Sequence, residues 1–395
     1  MKIGIVIDRF DPHRGGAESW TFQFVRQLLK RAYEIHVVAE EFSPAVLDLP
    51  IIPHPLGRIQ GRLSRAAAAE TCLRQLDLDV IHDMGMGWHC DIFHSHDGSR
   101  LAQRDQKLHI LPAYLRPIKR QMYNVLPRYK EFDILMARQL ADPNRLILAL
   151  SWMVARDYQR LHDIPAERIR LVYNGVDTEH FSPDHRDQHR CRIRRQLGVR
   201  DHEVLFLFVG HDFRRKGLAT AIRAIGRMAF SGLQARLAVI GGKTPAPAPA
   251  PFSDHESQAD NSVMFLGCVP DAMPYYLAAD AFVLPSFYDP CSLSVLEAAA
   301  CALPSITTYV NGAGELLSHG DNGFLISDPA DDQQLAAYMN LLLNPSLRSQ
   351  MGQSARELAL RHTLDYNCDQ IIDIYDEILE RRRFHLPVWK ASQAA

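Results

Sequence analysis

The sequence predicts an α/β protein built from two doubly wound parallel-sheet domains, and three observations predict it. At 395 residues the chain exceeds the size at which a single core stops growing, so two domains are expected. Ile3–Ile7 and Val204–Val209 are near-continuous apolar runs, the pattern of parallel strands covered on both faces. Each is followed by a polar, glycine-containing loop and then a helix with apolar residues at helical spacing, the strand–turn–helix unit of such sheets. Composition agrees: 47% hydrophobic and 23% charged residues describe an ordinary globular protein. The formal charge of −2 gives no general attraction to nucleic acid. Seven cysteines without a CxxC pair read as reduced thiols in a cytosolic protein, with no zinc pattern. Met1–Asp8 reads as a strand rather than a signal peptide, and no apolar run reaches the ~18 residues of a membrane span.

In the first domain, Ile3–Ile7 leads through Gly15-Gly16 into an amphipathic helix carrying Trp20, Phe24, Val25, Leu28 and Leu29. The glycine pair allows close backbone approach to a diphosphate or sugar, although a plain tight turn explains it equally well without a GxGxxG. Strands follow at Ile35–Ala39 and Val80–His82, and another ends in Asp91-Ile-Phe-His94-Ser-His96-Asp97-Gly98. Asp97 at this sheet edge is placed to serve as a base or to accept a sugar hydroxyl. Between Arg100 and Lys130, eight cations face the single acid Asp105, and Tyr114, Ile118, Met122, Tyr123 and Val125 are interleaved with them. Basic plus aromatic is the composition of a membrane-surface segment, with Arg116, Lys119, Arg120, Tyr123 and Lys130 as expected contacts. A solvated helix face beside a core-facing stripe is the alternative. Pro112, Pro117 and Pro127 are expected to break this stretch into short helices. Arg145–Ser151, the helix Trp152–His162 and the strand Ile169–Tyr173 complete the domain, with a boundary at the turn before Asp177.

The second domain, 177–365, opens with a polar helix over Asp184–Arg195 and the strand Val204–Val209, followed by Arg214-Arg215-Lys216-Gly217 and the helix Leu218–Met228. Cations beside a helix start suit a diphosphate. Ala235–Gly241, Val263–Leu266, Ala281–Leu284, Pro304–Thr308 and the edge segment Gly323–Ile326 read as strands, and the Pro-Ala run Thr244–Pro251 as a surface excursion. The stretch Pro285–Pro304 holds Asp289 in a loop and Glu297 one turn into a helix that opens through Leu293 and Ser294. An anion is favoured at that helix start, and two hydroxyl-seeking carboxylates around it point to a sugar nucleotide. Helices follow over Asp331–Leu343 and Ser346–Arg361. A last helix, Asn367–Arg383, is expected to return with 366–395 to the first domain, 1–176.

On the Gly15-Gly16 loop, Arg215-Lys216-Gly217, and the two carboxylates separated by seven residues with Leu-Glu-Ala at the second, the chain resembles the retaining GT-B glycosyltransferases of family 4. That fold sets two Rossmann-like domains facing across a cleft. Within it, Asp212–Gly217 and the basic segment are similar to the lipopolysaccharide core glucosyltransferases that add glucose to heptose. The resemblance implies a UDP-glucose donor, a lipopolysaccharide core acceptor, and a cytoplasmic protein lying on the anionic inner membrane surface. It implies that Glu297 holds the ribose and that Arg215 and Lys216 neutralise the diphosphate with amides near Leu293 and Ser294. Asp289 would contact the donor sugar, with Gly15 and Gly16 near phosphate and acceptor. Asp97 or the leaving phosphate would take the acceptor proton, without metal or cofactor. Two positions depart from the pattern: Asp289 stands where glutamate is usual, and His211 where arginine is common. A family relative with a soluble acceptor and an inactive nucleotide-binding scaffold are the competing expectations. A dehydrogenase is disfavoured because no GxGxxG follows the first strand.

Overall fold

A computed structural model describes residues 1–242 and 262–384; the Pro-Ala run Thr244–Pro251 and the end of the 366–395 segment lie outside the described residues. The chain separates into two units, Met1–Tyr173 together with the helix Leu364–Arg383, and Asn174–Thr363. The boundary read at Val176 and the division at Tyr173 lie on either side of the Asn174-Gly175 turn. Val176 belongs with the second unit because its amide bonds His362 O at 3.0 Å and it bridges to Thr363.

The first unit holds a seven-stranded sheet of β1 (Lys2–Val6), β3 (Glu34–Ala39), β5 (Ile52–Pro55), β6 (Val80–Asp83), β7 (Ile92–Phe93), β8 (Leu146–Ala149) and β9 (Ile169–Leu171). Its order is β5-β3-β1-β6-β7-β8-β9 and every pairing is parallel. The short strands β2 (Arg9–Phe10) and β4 (Glu41–Phe42) pair beside it. After Lys2, β1 is apolar because helices cover both faces: Ile3, Ile5 and Val6 are fully buried. Helix α1 (Gly16–Lys30) turns Trp20 and Phe24 inward, stacked at 4.9 Å, as its spacing predicts.

The returning helix Leu364–Arg383 is fixed to this unit by Arg31–Asp369 at 2.6 Å, Arg170–Glu377 at 2.7 Å and a buried bond of 2.7 Å between Tyr375 Oη and His82 Nδ1. The edge strand β5 and the helix Arg62–Leu73 have no counterpart in the sequence reading. β5 contains two prolines, which an edge position tolerates, and the helix is too alanine-rich to show a sharp apolar stripe.

The second unit is a six-stranded parallel sheet of β10 (Val204–Val209), β11 (Ala235–Ile240), β12 (Val263–Gly267), β13 (Ala281–Val283), β14 (Ser305–Thr308) and β15 (Gly323–Ile326), in the order β12-β11-β10-β13-β14-β15. In both sheets the chain works outward in one direction, then restarts beside its first strand and works outward in the other. The crevice at such a reversal, outside the carboxyl ends of the strands, is where doubly wound sheets take their ligands. The reversal lies between β1 and β6 in the first unit and between β10 and β13 in the second.

Candidate active site

The loops that leave β10 and β13 carry the predicted residues of the second unit, and they are tied together at three levels. Phe287 N donates to Arg215 O at 2.8 Å. Gly217 has φ +78°, and a Cβ there would stand 2.0 Å from Pro285 O, so this position admits only glycine without moving backbone. Lys216 Nζ donates to Asp289 Oδ2, and both side chains are nearly buried. Asp289 is itself anchored to the loop after β14, its amide on Val310 O at 3.0 Å and its carbonyl accepting from Gly312 N at 2.8 Å. Asn311 completes that junction, accepting from Ser292 N and Ala313 N.

Arg215 sits beside Lys216 but pairs within its own loop, with Asp212 at 3.6 Å. His211 is exposed. Leu293 and Ser294 open the helix Leu293–Ala300 at the end of the same connection. No side chain caps its first turn, and the Ser294 hydroxyl is engaged with Ser292 Oγ at 2.9 Å.

Glu297 lies one turn further along. Tyr276 Oη donates to Glu297 Oε2 at 2.8 Å, and burial raises the carboxyl above its ordinary value against the pull of that bond and of His180. His180 in turn lies 3.2 Å from Asp271, whose carboxylate raises the imidazole's proton affinity. Tyr276, His180 and Asp271 were not singled out from the sequence. A tyrosine in the short helix Met273–Ala278 gives no local signal, because its role depends on a partner on another helix.

In the first unit the predicted residues surround β1, β6 and β7. Gly15 caps α1 in extended conformation, and a Cβ there would meet Glu18 Oε2 at 2.9 Å; Gly16 begins the helix. A carboxylate thus stands against Gly15, with Arg14 3.7 Å from it. Asp97 pairs with Arg100 at 3.3 Å with its side chain half exposed, and its carbonyl accepts from Gln103.

Behind it, His82 Nε2 and His94 Nδ1 approach to 3.1 Å, and His94 stacks on His96 at 4.3 Å with Trp20 against both. Burial holds all three imidazoles neutral, pushing His82 down to about 3 and His96 to about 4. Asp83, at the end of β6, is buried and accepts from Gly85 N and Gly87 N at 2.6 and 2.7 Å; burial nevertheless pushes it up to about 7.

The basic segment forms the helices Arg100–His109, Arg116–Val125 and Pro127–Ala141. Two expectations are corrected. Pro117 does not break a helix; it lies in the first turn of Arg116–Val125, where no intrahelical donor is lost. Tyr123 is no surface contact: it is buried edge-on against Tyr129, with Lys119 and Arg104 over its ring. The outward stripe is instead Tyr114, Ile118, Met122 and Val125, exposed by 75%, 60%, 36% and 56%. Arg120 and Lys130 are exposed, while Lys119 reaches Tyr129 Oη and Arg116 folds onto the carbonyls of His109 and Leu111.

A pair of parallel sheets, each with its chemistry-bearing loops at the reversal of strand order, defines the class, and comparison with known proteins gives its family. Residues 14–180 match the family described as Glycosyltransferase Family 4, and residues 190–358 match Glycosyl transferases group 1. Together the matches take in most of the chain, which is a GT-B glycosyltransferase of this group. Among curated relatives, it is 29% identical over 243 residues to D-inositol 3-phosphate glycosyltransferase of Acidothermus cellulolyticus, a match over 59% of this chain and 53% of that protein. The chain thus spans about half the length of the first curated relatives it matches. Among solved structures, WaaG, a glycosyltransferase involved in lipopolysaccharide biosynthesis, superposes with TM-score 0.78 at 19% identity over 94% of this chain and 99% of that one. Anabaena HepE in complex with UDP-glucose superposes with TM-score 0.71 at 19% identity over 95% and 100%. These likenesses show the fold.

Proposed function

We propose that the protein is a retaining hexosyltransferase that moves glucose from UDP-glucose onto a membrane-associated heptose of the lipopolysaccharide core, without metal, from the cytoplasmic face of the membrane. The observation that carries the donor half is the placement of Lys216 and Arg215 after β10, beside the loop after β13 that holds Asp289 and leads to Glu297. Transfer through an oxocarbenium-like state needs the leaving diphosphate stabilised more than it needs a strong nucleophile. Preorganised cations at that position supply this. Lys216 and Arg215 neutralise the phosphates with the uncapped first turn at Leu293 and Ser294, Glu297 takes the ribose hydroxyls, and Asp289 serves the sugar. The sugar leaves and is attacked on the same face, with the acceptor proton passing to the departing phosphate or to Asp97, and Gly15 and Gly16 close to the reacting groups. UDP-glucose in HepE and the biosynthetic setting of WaaG are consistent with this donor and acceptor.

The acceptor half rests on the stripe Tyr114, Ile118, Met122 and Val125 beside Arg120 and Lys130. Ile118, Met122 and Val125 on one face of the helix Arg116–Val125, with Tyr114 in the turn before it, lie next to exposed cations and fit an anionic lipid surface. Among the described residues no helix is long and apolar enough to cross a membrane. A second reading, a soluble phosphorylated acceptor, is favoured by the relative named for inositol 3-phosphate.

Flotation on anionic vesicles separates the two. The wild type floats, and Ile118→Glu with Val125→Glu abolishes flotation while leaving hydrolysis of UDP-glucose intact; a wild type that stays with the soluble fraction refutes the membrane acceptor. Release of UDP, GDP or ADP from UDP-glucose, GDP-mannose or ADP-glucose, with and without a lipid-linked heptose, identifies the donor.

A further inference from the structure

The Lys216–Asp289 pair is the part of the site whose geometry the general scheme leaves unexplained. A lysine meant for a diphosphate is already neutralised, and a carboxylate meant for sugar hydroxyls is already occupied. We propose that this pair is an exchange latch. In the donor-free protein Asp289 holds the ammonium. The donor's diphosphate takes the ammonium over, and the carboxylate so released accepts hydroxyls of the sugar. The inference rests on the reading of this site as a nucleotide-sugar site.

Three features support an exchange rather than a fixed structural ion pair. First, among the described residues Lys216 Nζ is the one hydrogen-bond donor to the Asp289 carboxylate, so a departing lysine leaves that carboxylate without a protein partner. Second, the main chain of Asp289 is pinned through both its amide and its carbonyl, so the carboxylate stays where it is while its partner changes. Third, the lysine stem is held: a Cβ on Gly210 would lie 3.1 Å from Lys216 Cγ, and the Lys216 amide bonds Asp212 O at 2.9 Å. Only the ammonium end has somewhere else to go. Arg215 behaves differently, since its acid partner Asp212 sits in its own loop and leaves the neighbouring loop unaffected.

The exchange has a consequence for specificity. A nucleotide sugar that takes the lysine repays Asp289 with hydroxyl donors. A nucleoside diphosphate takes the lysine and repays nothing, leaving a nearly buried carboxylate unpaired, which is costly. The latch therefore favours intact donor over the product left after transfer. Asp289 becomes a residue that discriminates donor from product, in addition to touching sugar.

Calorimetric titration of the full chain with UDP and with UDP-glucose tests this, using wild type, Asp289→Asn, Lys216→Met and the double variant. Asp289→Asn is expected to tighten UDP about five- to tenfold and UDP-glucose by less, while the same change in the Lys216→Met background moves UDP less than about twofold. An equal gain in both backgrounds means plain charge repulsion and overturns the latch. No gain for UDP alongside weakened UDP-glucose means a sugar contact only, and also overturns it. A wild type that binds neither nucleotide overturns the donor reading and the latch with it. Thermal unfolding accompanies each titration, and Asp289→Ser, smaller and also neutral, carries the same expectation if the asparagine variant does not fold.

Discussion

The two sheets share a winding order and differ in what lies at their reversals. Between β10 and β13 the second unit keeps charge: a lysine and a carboxylate, nearly buried, paired across two loops that are also joined by backbone. Between β1 and β6, and on into β7, the first unit suppresses charge. Asp83 is driven toward its protonated form and His82, His94 and His96 are held neutral. The ionised groups there, Asp97 with Arg100 and Glu18 with Arg14, lie further out. One topology thus supports a preorganised electrostatic site in one copy and an apolar, neutral-imidazole wall in the other. Strand order fixes where a site falls, and the residues of the first turns decide what it can hold.

The sharpest way to break this contrast is to remove the charge from the second unit. Lys216→Ala is expected to lower turnover about 100-fold, roughly 2.7 kcal/mol of transition-state stabilisation. Steady-state kinetics with saturating UDP-glucose measure it, and a loss below about tenfold would return the leaving-group role to Arg215 and the helix start.

The complementary experiment puts charge into the first unit by acidification. A histidine neutral in the fold binds its proton first in the unfolded chain. Its stabilising contribution is complete above the ordinary value near 6.5 and is lost as pH falls toward 4. Asp83 acts oppositely: with its value raised to about 7, its contribution fades as pH rises from the ordinary carboxyl value and is gone above about 7. Three imidazoles outweigh one carboxyl, so stability of this unit is expected to drop by roughly 2 kcal/mol between pH 6 and pH 5. Urea midpoints followed by tryptophan fluorescence report it, because Trp20, Trp88 and Trp152 all belong to the first unit. A midpoint unchanged over that range would show that the histidines are not held neutral.

The smallest expected effect sharpens the site itself. Tyr276→Phe removes the hydroxyl that orients Glu297 and should raise KM for the nucleotide sugar about three- to fivefold, with kcat within about twofold. A fall in kcat of the same size as the rise in KM would place Tyr276 in the chemical step instead of in nucleotide positioning.

What the sequence showed and what it hid follow from how local each feature is. β10 and β15 were legible to the residue, because a strand covered on both faces needs an uninterrupted apolar run and a polar loop ends it. The helix Trp152–His162 was read with the same bounds, and the structure adds that Ser151, read as the end of the preceding strand, caps it by accepting from Val154 N. The candidate residues after β10 and β13 could be picked out one loop at a time. Their pairing could not, because it depends on how closely two distant loops approach. Tyr276 was invisible for the same reason.

Tyr123 failed for a different one. The helix Arg116–Val125 presents apolar groups on more than one side, so spacing alone does not say which side meets the protein. Burial assigns Tyr123 to the inside and Ile118 to the outside.

The close approach of Gly217 to Pro285 has a consequence for how such a protein can change. A glycine wedged against another loop's carbonyl makes the two loops one inheritable piece: an insertion or a bulkier residue in either must be matched in the other. New sugar preferences are thus more accessible through side chains that leave this contact alone, such as Asp289, than through remodelling of loop length.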